Sequence, residues 1–256
     1  MENLLRGCAI LIIRPAGLGD ALANMVRQAG GEALLLPTID ILPAPRPARL
    51  AMLIARLQSF DWAIFVSPTA AREGIRSVRT RRRWPPGVRI AAVGRGTAEA
   101  LEEMGIGDSL YPDAPGDSEA LAAMPELQDI VGQNVAIFRG DGGRETLGRM
   151  LAGRGARVEY AECYRRARPA LDMTELRARC QDGALQAICA ASGEALRNLL
   201  DMTGAVDAPR LRETPVFVPH PRVAETACDL GFSRAIVAIG GDNATATALA
   251  AFFAKV

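Results

Sequence analysis

Short runs of consecutive apolar residues, each closed within two positions by glycine, proline or a hydroxyl-bearing residue, recur along this chain at 9–13, 62–66, 90–93, 135–138, 187–190 and 216–218. Continuous rather than alternating hydrophobicity marks strands buried on both faces, as parallel strands are. Between the runs lie stretches whose apolar residues recur every three or four positions, the period of an amphipathic helix. Strands alternating with helices predict an α/β protein with parallel sheets covered on both sides.

The order of elements occurs twice. Arg14, Gly17, Leu22 and Gly30 align without a gap on Arg139, Gly142, Leu147 and Gly155, an offset of about 125 positions. Each segment reads as a buried strand, a glycine turn with an acidic residue near a helix start, an amphipathic helix and a second strand. Segment 61–71 then matches 185–195, segment 90–105 matches 216–231, and helix openings at 117–121 and 245–249 correspond. Ligands of open parallel sheets lie beyond the carboxyl ends of the strands. Those ends are the loops 14–19, 67–71, 94–97, 139–143, 191–193 and 219–222, and the chemistry is expected in a cleft between the two halves. Proline-rich 37–47 and arginine-rich 162–169 read as linkers at corresponding places in the two copies, a pair of extended strands joining the domains.

Bulk properties narrow the function classes. The 256 residues are 49% hydrophobic and 23% charged, with a formal net charge of +1, so nothing at whole-chain level points to nucleic acid or an anionic membrane. No apolar run is long enough to span a bilayer, and the start of the chain lacks the pattern of a signal peptide. Five cysteines, Cys8, Cys163, Cys180, Cys189 and Cys228, form no CxxC pair and read as reduced thiols of a cytoplasmic protein. A single histidine, His220, argues against a zinc site or a Ser-His-Asp triad. All basic residues but Lys255 are arginines, which suits bidentate recognition of carboxylates or phosphates, or reflects base composition alone.

Several loops could carry chemistry. Arg139-Gly140-Asp141-Gly142-Gly143-Arg144 combines backbone that can approach a ligand closely with a following helix start and two arginines, and so reads either as an anion site or as a solvated glycine turn. It lacks the GK[ST] ending of a P-loop. Arg14 is its counterpart in the other copy. Gly94-Arg95-Gly96-Thr97 begins like a dinucleotide fingerprint but lacks the third glycine, leaving Thr97 as a hydroxyl carried to the cleft or as a helix cap. Ser67-Pro68-Thr69 sits where a strand becomes a helix, able to hold a carboxylate or simply to cap, and Ser192 is its counterpart. Neither serine lies in a GxSxG elbow. Tyr164 either anchors the second linker or supplies a proton, and His220 is a loop filler or a base. Arg81-Arg82-Arg83 reads as a solvated surface loop.

Taken together, Arg14-Pro15, Phe65-Val66-Ser67-Pro68-Thr69-Ala70, Ala92-Val93-Gly94-Arg95-Gly96-Thr97-Ala98, Asp117-Ser118-Glu119-Ala120-Leu121, the Arg139 loop through Glu145, Tyr164-Arg165 and Phe217-Val218-Pro219-His220-Pro221-Arg222 resemble, in order and spacing, the uroporphyrinogen-III synthase family. The resemblance covers nearly the whole chain. It implies two similar flavodoxin-like parallel-sheet domains joined by a two-stranded linker, with a pseudo-twofold internal repeat. The domains would be 1–38 plus 168–256, and 46–161, with linkers at 39–45 and 162–167. It implies cyclisation of hydroxymethylbilane to uroporphyrinogen III, with inversion of the last pyrrole ring and loss of water through an azafulvene and a spiro intermediate. No metal or organic cofactor is implied. Tyr164 matches the tyrosine that assists departure of the hydroxyl, and is the candidate catalytic residue. The candidate substrate-binding residues are Arg14, Pro15, Ser67, Thr69, Gly94, Thr97, Arg139, Gly140, Gly142, Ser192, Pro219 and Arg222. Some relatives carry threonines in the loop that here reads Pro219-His220-Pro221-Arg222, so Arg222 would offer charge where they offer a hydroxyl. The expected protein is a cytoplasmic monomer whose partner is the tetrapyrrole, with no nucleic acid and no membrane. The competing readings are a two-domain transferase on a nucleotide-linked or phosphorylated substrate, and a non-catalytic anion sensor of the same fold.

Overall fold

The computed structural model describes residues 3–113 and 116–254. The chain opens with β1 (Ala9–Ile12), α1 (Asp20–Gln28), β2 (Glu32–Leu35) and β3 (Asp40–Pro43). Next come α2 (Pro47–Ala55), β4 (Trp62–Phe65), α3 (Pro68–Arg79), β5 (Arg89–Ala92), α4 (Arg95–Glu103) and α5 (Ser118–Ala123). β6 (Asn134–Gly140), α6 (Thr146–Gly153) and β7 (Arg157–Ala167) follow. The remainder is α7 (Thr174–Gln181), β8 (Ala187–Cys189), α8 (Gly193–Thr203), α9 (Ala208–Glu213), β9 (Val216–Val218), α10 (Pro221–Asp229), β10 (Ala235–Val237) and α11 (Gly241–Phe253).

The chain divides into two compact units, Met1–Asp40 with Ala167–Val256, and Ile41–Arg166. The first unit holds a five-stranded sheet in the order β10-β9-β8-β1-β2, with every neighbouring pair parallel. Numbered within the unit this is the doubly wound order 2-1-3-4-5. The second sheet runs β3-β7-β6-β4-β5, and its β7·β6, β6·β4 and β4·β5 pairs are parallel. Beyond β5 a single parallel bridge, Ala91 to Leu110, stands where β10 stands in the first sheet.

The continuous apolar runs are strands that helices cover. In the first unit Ile10, Ile12, Ala187, Cys189 and Phe217 pack on Leu22 and Val26 of α1 and Leu249 of α11. In the second, Phe65, Ala136, Phe138 and Ala161 face Ile54, Ile75, Val78 and Leu101 on one side. On the other side Trp62, Ile64, Val135 and Ile137 face Leu121, Leu147 and Leu151. Phe65 and Phe138, side by side on β4 and β6, stack with ring centroids 4.7 Å apart.

Segment 162–167, read as a linker, is the last part of the 11-residue strand β7, and 40–43 within the first linker forms the edge strand β3 beside it. Near its end β7 is irregular: Phe138 pairs with Ala161 and Arg139 with Glu162, but Gly140 pairs with Tyr164. Cys163 is thus an extra residue. Such a bulge reverses which face the following side chain meets. Tyr160 packs on the α6 side, whereas Tyr164, four residues on, joins Ala161 and Cys163 on the α3 side.

Candidate functional site

In the first unit the residues beyond the strand ends are held by short-range interactions. After β1, Leu18 N donates to Pro15 O at 3.0 Å and Gly17 takes φ +78, closing a tight turn that a side chain would strain. Arg14, at the start of that turn, forms an ion pair with Asp242 in the first turn of α11. Its Nε is buried with no partner. After β8, Ser192 is the N-cap of α8, its Oγ accepting from Ala195 N at 3.2 Å. After β9, Pro219 is half-buried and Arg222 is exposed. His220 takes a structural place at the end of that loop. Its Nδ1 accepts from Arg222 N at 3.1 Å and caps α10, with Pro221 at the first helical position.

In the second unit Ser67 is the N-cap of α3, accepting from Ala70 N at 3.0 Å, and Thr69 lies half-buried in the first turn. Gly94 explains the fingerprint-like glycines sterically. A Cβ there would lie 2.8 Å from Gly116 Cα, so two backbones cross where only glycine fits. Thr97 is no cap. It sits inside the first turn of α4, 3% exposed, and Gly94 holds the cap position.

Arg139, expected to offer its charge to an anion, has that charge answered within its own unit. Its guanidinium donates to Gly143 O at 2.9 Å and to Glu162 Oε1 at 3.2 Å, and lies 3.7 Å over the Tyr160 ring. The residue is 6% exposed and its Nε is a buried orphan. Glu162 also pairs with Arg46, which reaches Asp141 at 3.7 Å. The glycine loop is therefore pinned from beneath, and exposed Gly142 takes φ +66 to turn it.

Tyr164 lies beside this network on the other face of β7. Its ring is 2% exposed in the core of the unit. Its hydroxyl is at the edge of that core, 3.4 Å from Ser67 Oγ and 3.4 Å from a guanidinium nitrogen of exposed Arg166. Gly140 presses on the same end of the ring. Ser67, Gly140 and Tyr164 thus converge, along with Arg166, which the sequence reading did not single out. Burial pushes the neighbouring Cys163 thiol up to about 12, and that of Cys189 in β8 also to about 12, so both are neutral near pH 7.

A cavity of about 620 Å³ in the first unit is lined by Cys8, Arg27, Glu32, Arg179 and Gln186, at the amino ends of β1, β2 and β8. Its polar groups are committed to one another. Arg179 holds Glu32 bidentately at 2.7 and 2.8 Å, and Gln186 accepts from Ala9 N at 2.8 Å. Among the described residues no group of three His, Cys, Asp or Glu is placed to hold a metal ion.

Three comparisons bear on this arrangement. The family model described as uroporphyrinogen-III synthase HemD matches residues 20–251. The uroporphyrinogen-III synthases of Salmonella typhimurium and Escherichia coli are 35% and 33% identical over 237 residues, each alignment covering 92% of this chain and 96% of the relative. Among solved structures, a mutant uroporphyrinogen III synthase from Thermus thermophilus superposes with a TM-score of 0.64 at 19% identity, over 97% of this chain and 100% of the other. The Helicobacter pylori enzyme gives 0.60 at 12% identity, over 96% and 99%. At such identity the two structures speak for the fold. The family match and the two enterobacterial relatives go further: the chain belongs to the uroporphyrinogen-III synthase family.

Proposed function

We propose that this chain closes hydroxymethylbilane to uroporphyrinogen III, inverting the last pyrrole ring and releasing water, the reaction of its family. The transferase and anion-sensor readings are not favoured, since the relatives match over most of their length under one activity. The observation that carries the chemistry is the Tyr164 hydroxyl at the edge of the second unit's core, with Ser67 and Gly140 beside it.

In this reading Tyr164 gives its proton to the departing hydroxyl of the substrate. The carbon–oxygen bond breaks with its electron pair going to oxygen, and water leaves. The adjacent pyrrole nitrogen supplies electron density to the carbon, giving the protonated azafulvene, whose positive charge balances the phenolate. Closure through the spiro intermediate ends with loss of one proton, which the phenolate takes back, so the sum is substrate to product plus water. The harder task is selectivity, since the electrophile must be held folded for the inverted closure. Positioning can supply that.

Strand-end loops hold the substrate's carboxylates in this proposal. The amide groups opening α3, α8 and α10 are suited to anions, Ser67 caps α3 beside them, and Thr69, Thr97, Ser192 and Arg222 add hydroxyls and charge. Pro15, Gly94, Gly140, Gly142 and Pro219 shape the backbone. Arg14 exchanges Asp242 for a substrate carboxylate, while Arg139 keeps the 141–143 loop in shape.

We infer also that the chain is an internal duplication, two flavodoxin-like halves related by a pseudo-twofold and joined by a two-stranded link, and that it works as a cytoplasmic monomer without nucleic-acid or membrane partners. What supports the duplication is that β1-β2 and β6-β7 hold equivalent places in their sheets, as do β8-β9 and β4-β5. The net charge of +1 fits the absence of polyanionic partners.

Purified protein given freshly prepared hydroxymethylbilane is expected to yield isomer III, read by chromatography of the oxidised porphyrins. Isomer I alone would overturn the proposal.

A further inference from the structure

We propose that Arg166 and Ser67 are positioning residues for the Tyr164 phenol, both donating to its oxygen so that the phenolic proton is directed to the departing hydroxyl. This rests on Tyr164 being the acid of the proposed reaction. The direction is fixed for Arg166 by its chemistry and assigned for Ser67 by the proposal. A guanidinium has donors and no acceptor, so the 3.4 Å contact from Arg166 to the phenol oxygen runs one way only. Ser67 Oγ already accepts from Ala70 N at 3.0 Å as the cap of α3. In this proposal its hydroxyl proton serves the second contact, 3.4 Å from the phenol oxygen, where the geometry allows either oxygen to donate. With both lone pairs of that oxygen met by donors, its own proton points to neither.

The backbone brings the three together. The extra residue Cys163 turns Tyr164 onto the α3 side of β7, beneath the strand-to-helix turn where Ser67 sits. Arg166, two residues on and so on the same face, carries its guanidinium carbon 5.8 Å from the Tyr164 ring centroid. Both contacts are long for hydrogen bonds. A phenol accepting two weak bonds at rest gains two stronger ones as negative charge collects on it, since charge-assisted bonds are shorter and roughly twice as strong. Binding energy of this kind, larger in the transition state than in the resting chain, raises kcat rather than lowering KM.

The test is a set of variants in the full chain. Arg166→Met is expected to lower kcat by roughly ten- to a hundredfold, with KM within about twofold of the parent, and Arg166→Lys to restore most of kcat by returning a donor and a charge. Ser67→Ala lowers kcat in the same direction. In a Tyr164→Phe chain, adding Arg166→Met is expected to change kcat by less than about twofold, because the acceptor it acts through is gone. A full additional loss in that background overturns the proposal, as does a rise in KM at constant kcat, which would make Arg166 a carboxylate ligand. A Tyr164→Phe chain that keeps the parent rate refutes instead the reading of Tyr164 as the acid.

Discussion

Gly140 and Tyr164 are register partners across the bulge in β7, so close that a Cβ on Gly140 would stand 2.8 Å from Cζ and 3.1 Å from the hydroxyl oxygen of the tyrosine. Gly140 is not at a positive φ, so the demand for glycine is one of space alone. Gly140→Ala is expected to push the ring aside. Overpacking of this kind costs about 1–3 kcal/mol, a fall in Tm of roughly 2–10 °C for a chain of this size. The same shift should lower kcat, since it moves the phenol from Ser67. Calorimetry and steady-state kinetics check both, and an unchanged Tm and kcat would mean the strand end yields freely.

Arg14 and Asp242 answer one another's charge, with side chains 15% and 23% exposed. If the substrate displaces Asp242, Asp242→Asn releases the guanidinium in advance. KM is expected to fall several-fold, while Tm drops as α11 loses its first-turn acid. Unchanged KM with a lower Tm would make the pair a brace between β1 and α11.

Arg139 and Glu162 form a more deeply buried pair, 8% and 11% exposed. Removing one partner of a buried pair is destabilising by about 3–5 kcal/mol. Arg139→Met is therefore expected to unfold at markedly lower denaturant concentration, with KM little changed below the transition. A large rise in KM in a chain of parental stability would return Arg139 to the substrate.

Cys163 and Cys189 carry thiols pushed by burial from an ordinary value of 9.0 up to about 12. The unfolded chain releases these protons at lower pH than the folded chain. Stability contributed by the neutral thiols is thus complete below pH 9 and is lost as pH rises towards 12, at up to about 1.4 kcal/mol per pH unit for each group. Cys163→Ala should flatten the decline measured by denaturation between pH 9 and 11. At pH 8 a thiol reagent should reach exposed Cys228 and spare both buried thiols.

The parallel strands were legible because runs such as 62–66 and 135–138 are apolar throughout, and only strands covered on both faces read that way. The end of β7 was legible as an extended segment, but not as the continuation of a sheet strand. Glu162, Arg165 and Arg166 give it the polarity of a linker, and the bulge that aims Tyr164 leaves no local mark. Ser67 and Ser192 were readable as caps, because a serine before a helical run has that local use. The partners of Arg14 and Arg139 lie 228 and 23 residues away, beyond any local pattern. Glu162 could have been found by aligning β6 with β7 in parallel register. Thr97 looked like a cap, but the helix starts earlier: Gly94 holds the cap position and Thr97 is buried inside the first turn.

Strand order has a consequence for synthesis on the ribosome. β1 pairs with β8, which emerges far later, so at about 5–20 residues per second the first strand waits roughly 10–30 s for its neighbour. Meanwhile β4, the positional equivalent of β8, is already present, and β6, the equivalent of β1, is not. Strand equivalence thus makes a premature sheet, β2-β1-β4-β5, available to the nascent chain, one that would repeat the mature order with the wrong members. Were that parallel sheet to close, folding would have to undo it when β6 arrives. Slow refolding phases and a trapped first half are the signature such a history would leave.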